Sequence, residues 1–95
     1  MAEINTISYI LAKECNAEKI KNFIIEMLTE SECETLSKRW QILNMLCEGK
    51  TQRDIAKELK VSLCKVTRGS QILKNKNSVI SKYLIKEINN GNKKI

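Results

Sequence analysis

Thr51-Gln-Arg-Asp-Ile-Ala-Lys-Glu-Leu-Lys-Val-Ser-Leu-Cys-Lys-Val-Thr-Arg-Gly-Ser70, running on to Lys74, decides how this chain is read. Thr51, with Asp54 three residues on, follows the capping-box pattern that starts a helix. Ile55, Ala56 and Leu59 then fall on one helical face. Val61 and Ser62 make a turn, and Ser62 is placed to cap a second helix. That helix carries Leu63, Val66, Gly69, Ile72 and Leu73 at helical spacing. Two short helices that cross steeply need a small side chain at their contact, and Ala56 supplies it. Lys60 stands at the turn position usually held by glycine. It must accept a left-handed backbone there, at a cost of about 1 kcal/mol.

The same stretch holds the charge. The full 95-residue chain has a net charge of +6. Residues 1–49 carry five basic and eight acidic side chains, a net of −3. Residues 50–76 carry eight basic side chains against Asp54 and Glu58, a net of +6. Residues 77–95 add +3, from four lysines and Glu87. A local excess of this kind is an electrostatic footprint for phosphate. With two short helices beneath it, the pattern points to a helix-turn-helix. The second helix would enter the major groove while the first meets the backbone. The helix starts at Thr51 and Ser62 also offer free amides to phosphate. On this reading Arg53, Leu63, Cys64, Lys65 and Thr67 face base edges, and Ser62 and Lys74 hold phosphate.

Working outward, the chain has no proline, three glycines and no alternating apolar run, so an all-α fold is expected. Ile4, Ile7, Ile10 and Leu11 mark a first helix. Asn16 caps a second, with Ile20, Phe23, Ile24, Met27 and Leu28 on one face and Ile25 widening it. So broad an apolar surface on short helices suits burial against a partner chain as well as it suits a private core. Thr29-Glu30-Ser31-Glu32 is a full capping box for a third helix carrying Leu36, Arg39, Trp40, Leu43, Leu46 and Cys47. Gly49 sits where a left-handed C-terminal cap belongs. After a polar break from Asn75, Ser78 caps a last helix with Val79, Ile80, Tyr83, Leu84 and Ile88. The tail from Asn89 to Ile95 is expected to fray. The division expected is one domain over 1–95. Residues 1–50 form a helical dimerisation core, 51–74 the helix-turn-helix, and 75–95 the last helix and tail.

Other classes are poorly served. There is no histidine, so Ser-His-Asp and Cys-His arrangements are excluded. The three glycines make no phosphate loop. Glu32 and Glu34, two apart on a helix, do not share a face. An enzyme is not expected. Cys15, Cys33, Cys47 and Cys64 contain no C-x-x-C pair, so no metal site is expected. They read as reduced thiols of a cytoplasmic protein. Glu3 and the missing basic cluster argue against a secretory signal, and no run is long enough to span a bilayer.

Met27-Leu28-Thr29, Arg39, Gly49, Thr51-Gln52-Arg53 and above all Thr67-Arg68-Gly69-Ser70 with Leu73-Lys74 resemble the bacterial Trp repressor family. The resemblance spans Met27 to Lys74, about half of the chain. It implies a six-helix, intertwined homodimer that represses transcription from a palindromic operator in double-stranded DNA, with L-tryptophan as corepressor. It also implies site residues. Arg39 and Arg68 would sandwich the indole ring, Arg68 and Thr29 would hold the carboxylate, and Gly69 would leave room for the ring. Leu28 and Glu26 would line the same site, Glu26 through its backbone carbonyl. Near the effector's amino group the family has a small hydroxyl residue, and here stands Ile72. That departure leaves an alternative: a DNA-binding regulator of the same superfamily with no effector, or with a different indole or amino acid.

Overall fold

The computed structural model describes residues 1–89, and these form six helices with no strand among them. They are α1 (Ala2–Lys13), α2 (Ala17–Met27), α3 (Glu30–Cys47), α4 (Gln52–Leu59), α5 (Leu63–Lys74) and α6 (Val79–Asn89). The chain divides into two compact units, Met1–Thr35 and Leu36–Ile95, with the boundary inside α3. The expected frayed tail lies, after Asn89, outside the described residues.

In the first unit the caps set the boundaries. Asn16 Oδ1 accepts from the amides of Glu18 (2.9 Å) and Lys19 (3.2 Å), which starts α2. Leu28 then turns extended and ends it. Thr29 and Glu32 make the reciprocal capping box: Glu32 N donates to Thr29 Oγ1 at 3.1 Å and Thr29 N donates to Glu32 Oε1 at 2.9 Å. Along α1 the Lys13 ammonium lies 4.3 Å from the Tyr9 ring centre, a cation–π pair one helical turn apart. No residue of α1 or α2 is buried, and Ile4, Ile10, Ile25 and Met27 are exposed.

The second unit holds the core. Ile42 and Met45 of α3, Ile55 of α4 and Val66 of α5 form it, with Leu46, Ala56, Leu59 and Val61 packed around them. Ile55 and Val66 are wholly enclosed, as is Leu84 of α6. α3 closes with Gly49 at φ +94°, where Lys50 N reaches Met45 O (3.1 Å) and Gly49 N reaches Leu46 O (3.0 Å). That bond pair is the Schellman ending, and its left-handed residue favours glycine. Three residues join α4 to α5. Lys60 takes the left-handed backbone (φ 57°, ψ 46°), and Val61 N bonds back to Ala56 O at 3.1 Å. Ser62 Oγ accepts from Lys65 N to open α5, and Ser78 Oγ accepts from Ser81 N to open α6. The pattern at Thr51 is met by half: Asp54 N donates to Thr51 Oγ1 (3.1 Å). The shorter aspartate does not return the bond as Glu32 does at Thr29.

Several faces differ from expectation. Val79 and Tyr83, expected inward, are exposed, and Ile42 and Met45, which the spacing did not single out, are core. In the C-terminal half of α3, Ile42, Leu43, Met45, Leu46 and Cys47 make an apolar arc too wide for periodicity alone to say which of them are innermost. The packing of α4 and α5 chooses them.

Candidate nucleic-acid interface

The packing of α4 against α5 positions this surface. Ala56, half-buried beside the core, lets α4 come close to α5, and Ile55 and Val66 lock the pair from beneath. The residues left outside are those the sequence assigned to contact. Arg53, Ser62, Leu63, Cys64, Lys65, Thr67 and Lys74 are all exposed. Lys57, Lys60 and Arg68 are exposed as well. The one ion pair between described side chains is Lys50 Nζ to Glu58 Oε1, at 3.4 Å, both partners open to solvent. The other basic groups of this face keep their charge available to an external anion.

Leu63, Cys64, Thr67, Arg68 and Gln71 line an open depression of about 350 Å³ on α5. Gln71 was not singled out in the sequence, although it lies four residues from Thr67 on the same face. Gln52, named in the resemblance, was given no role there. Its Oε1 accepts a hydrogen bond from Thr67 Oγ1 at 2.9 Å, tying the first residue of α4 to the middle of α5. Fifteen residues separate the two, so no local spacing rule reveals the pair.

Of the residues assigned to an effector, Glu26, Leu28 and Thr29 belong to the first unit. There Leu28 is half-buried, Glu26 and Thr29 are exposed, and Thr29 caps α3. Arg39, Arg68, Gly69 and Ile72 belong to the second unit. Both arginines are exposed, with no carboxylate paired to them among the described residues. Gly69 is buried. A Cβ built there would lie 3.0 Å from Ile42 Cγ2, 3.4 Å from Leu46 Cδ1 and 3.6 Å from Leu43 Cδ2. The space left by its missing side chain is therefore taken up by α3, and Gly69 is a point of close approach between the helix bearing Arg39 and the helix bearing Arg68. Ile72 is half-buried and offers no polar atom beyond the backbone.

The thiols are free. Burial, aided by the Glu48 carboxylate, raises the pKa of Cys47, which keeps that thiol protonated and unreactive. No group of histidine, cysteine and carboxylate side chains among the described residues could hold a metal ion. No helix among them is long and apolar enough to cross a membrane.

A family model described as Trp repressor protein matches residues 2–88. A Trp operon repressor homolog of Chlamydia trachomatis serovar D is 40% identical over 62 residues, 64% of this chain and 66% of that protein. The chain thus spans just under two thirds of the length of that relative. A Trp operon repressor homolog of Xylella fastidiosa strain M23 is 38% identical over 80 residues, 83% of this chain and 85% of that protein. No solved structure matches the chain. The family match takes in all but the two ends of the chain, and the six-helix, strand-free architecture agrees with it. This chain belongs to the Trp repressor protein family, a family of transcription regulators and not of enzymes.

Proposed function

We propose that the chain is a sequence-specific DNA-binding repressor. It acts as a homodimer on a palindromic operator, with α4 and α5 as the helix-turn-helix and L-tryptophan as corepressor. The observation that carries this reading is the exposed, largely unpaired basic face of α4 and α5, built over a shared core in a member of a repressor family. Arg53 makes the bidentate contact to guanine, Leu63, Cys64, Lys65 and Thr67 meet base edges, and Ser62 and Lys74 meet phosphate. The chain works as one unit. Residues 1–50 build the dimer, 51–74 read DNA, and 75–95 complete the fold.

Two reading helices about 34 Å apart fit successive major grooves. An effector that favours this spacing by about 1–3 kcal/mol changes affinity by a factor of about 5–150. The donor set suits an indole carboxylate. Two exposed guanidinium groups, Arg39 and Arg68, can stack on an aromatic face and pair with a carboxylate. Gly69 sets how near the two arginine-bearing helices lie. Titrating L-tryptophan into an operator gel shift is the test. Tighter retention of DNA as tryptophan rises is expected; unchanged affinity at saturation contradicts the gating.

Ile72 favours a second reading. An ammonium group beside a half-buried isoleucine has no side-chain partner, and leaving such a charge unpaired is costly. On this reading the regulator has no effector, or takes an indole acid without the amino group. A melting-temperature rise with indole-3-propionate but none with tryptophan supports it, because only a bound ligand stabilises the fold.

A further inference from the structure

We infer that Gln52 fixes the hydrogen-bond polarity of Thr67, so that Thr67 selects a base presenting an amino group at its position in each half-site. The inference rests on the DNA-reading role proposed for α5. A threonine inside a helix commonly gives its proton to the carbonyl four residues back. Thr67 instead donates to Gln52 Oε1 at 2.9 Å, across the α4–α5 contact. A hydroxyl has one proton and two lone pairs. With the proton committed, Thr67 Oγ1 can only accept.

In the major groove the amino groups of adenine and cytosine are donors, whereas guanine O6 and thymine O4 are acceptors. An acceptor-only hydroxyl bonds to the first pair and repels the second. Thr67 is exposed and lines the depression on α5 with Leu63, Cys64, Arg68 and Gln71, so its lone pairs face outward. Gln52 also changes character. Its carbonyl is spent on Thr67, and its amide NH2 remains a donor for a phosphate oxygen. Gln52 is thus a positioning residue that acts on base choice through its neighbour.

The test uses the full chain and a randomised duplex library. Enriched sequences are read for the unaltered protein, Gln52→Ala, Gln52→Glu and Thr67→Val, and affinities are then measured on duplexes changed at single positions. The unaltered protein should prefer adenine or cytosine on the contacted strand at one position per half-site by about 3–10-fold, the worth of one hydrogen bond. Thr67→Val identifies that position by flattening it. Gln52→Ala should reduce the preference there to under about twofold and leave the other positions intact, because the Thr67 hydroxyl loses the partner that holds its orientation and its proton is free to turn to the base or to the Leu63 carbonyl four residues back. Gln52→Glu keeps an acceptor for the Thr67 proton and should keep the preference, while its charge lowers affinity for every sequence. Full preference in Gln52→Ala, or a preferred guanine or thymine at the Thr67 position, overturns the inference. Failure of the unaltered protein to enrich any sequence is a different result, and it overturns the DNA-reading role itself.

Discussion

Gly69 shows how one missing side chain can set the distance between two helices. Its neighbour Ile42 is β-branched and nearly fully buried, so its Cγ2, 3.0 Å from a built Cβ, has little freedom to turn away. Gly69→Val is expected to lower stability by about 1–3 kcal/mol through overpacking. The loss should shrink in an Ile42→Ala background, where the opposing methyl is gone. Denaturant midpoints in a double-mutant cycle measure this, and simple additivity of the two changes contradicts the contact. The resemblance alone assigned Gly69 to leaving room for a ring. Its packing against Ile42, Leu43 and Leu46 could not be read from the sequence, because those residues lie more than twenty positions away.

Among the elements, the ends were more legible than the faces. Asn16, Thr29, Thr51, Ser62 and Ser78 each accept the capping bond their spacing predicted, because a cap is made within three residues. Gly49 and Lys60 take the left-handed backbone expected of them for the same local reason. Lys60 is exposed and pairs with no carboxylate among the described residues, so its side chain offers little to offset the strain. Lys60→Gly should therefore stabilise the chain by about 0.5–1 kcal/mol, seen as a higher urea midpoint with an unchanged slope. A lower midpoint contradicts this account of the turn. Inward faces depend on what packs against them. Leu63 fits the stripe of α5 by period yet stands outside, at the start of the helix, with Cys64 and Thr67. The Gln52–Thr67 bond was invisible for the same reason, since only the crossing of α4 and α5 joins residues so far apart.

At the scale of the whole molecule, one chain leaves much apolar surface uncovered. α1 and α2 bury no residue, and Leu36 and Trp40 on the N-terminal half of α3 remain 48% and 44% exposed. A folded chain of this size gains from covering such surface with a second copy, as the proposed homodimer does. Trp40 is the only tryptophan, so its emission reports on this face alone. The emission should shift to longer wavelength when the protein is diluted from micromolar to nanomolar, in step with the loss of dimer in sedimentation. A spectrum independent of concentration across a measured dissociation contradicts burial of Trp40 between chains.

In the proposed function the basic face of α4 and α5 reads sequence and does more than attract phosphate. Charge alone gives binding to any duplex, and salt weakens specific and non-specific complexes alike. Competition separates them. A labelled duplex carrying the enriched palindrome is held at fixed salt and challenged with unlabelled random-sequence duplex and with its own unlabelled copy. Random duplex is expected to need about a thousandfold excess over the specific competitor to displace half the label. Displacement by both at equal concentration contradicts it.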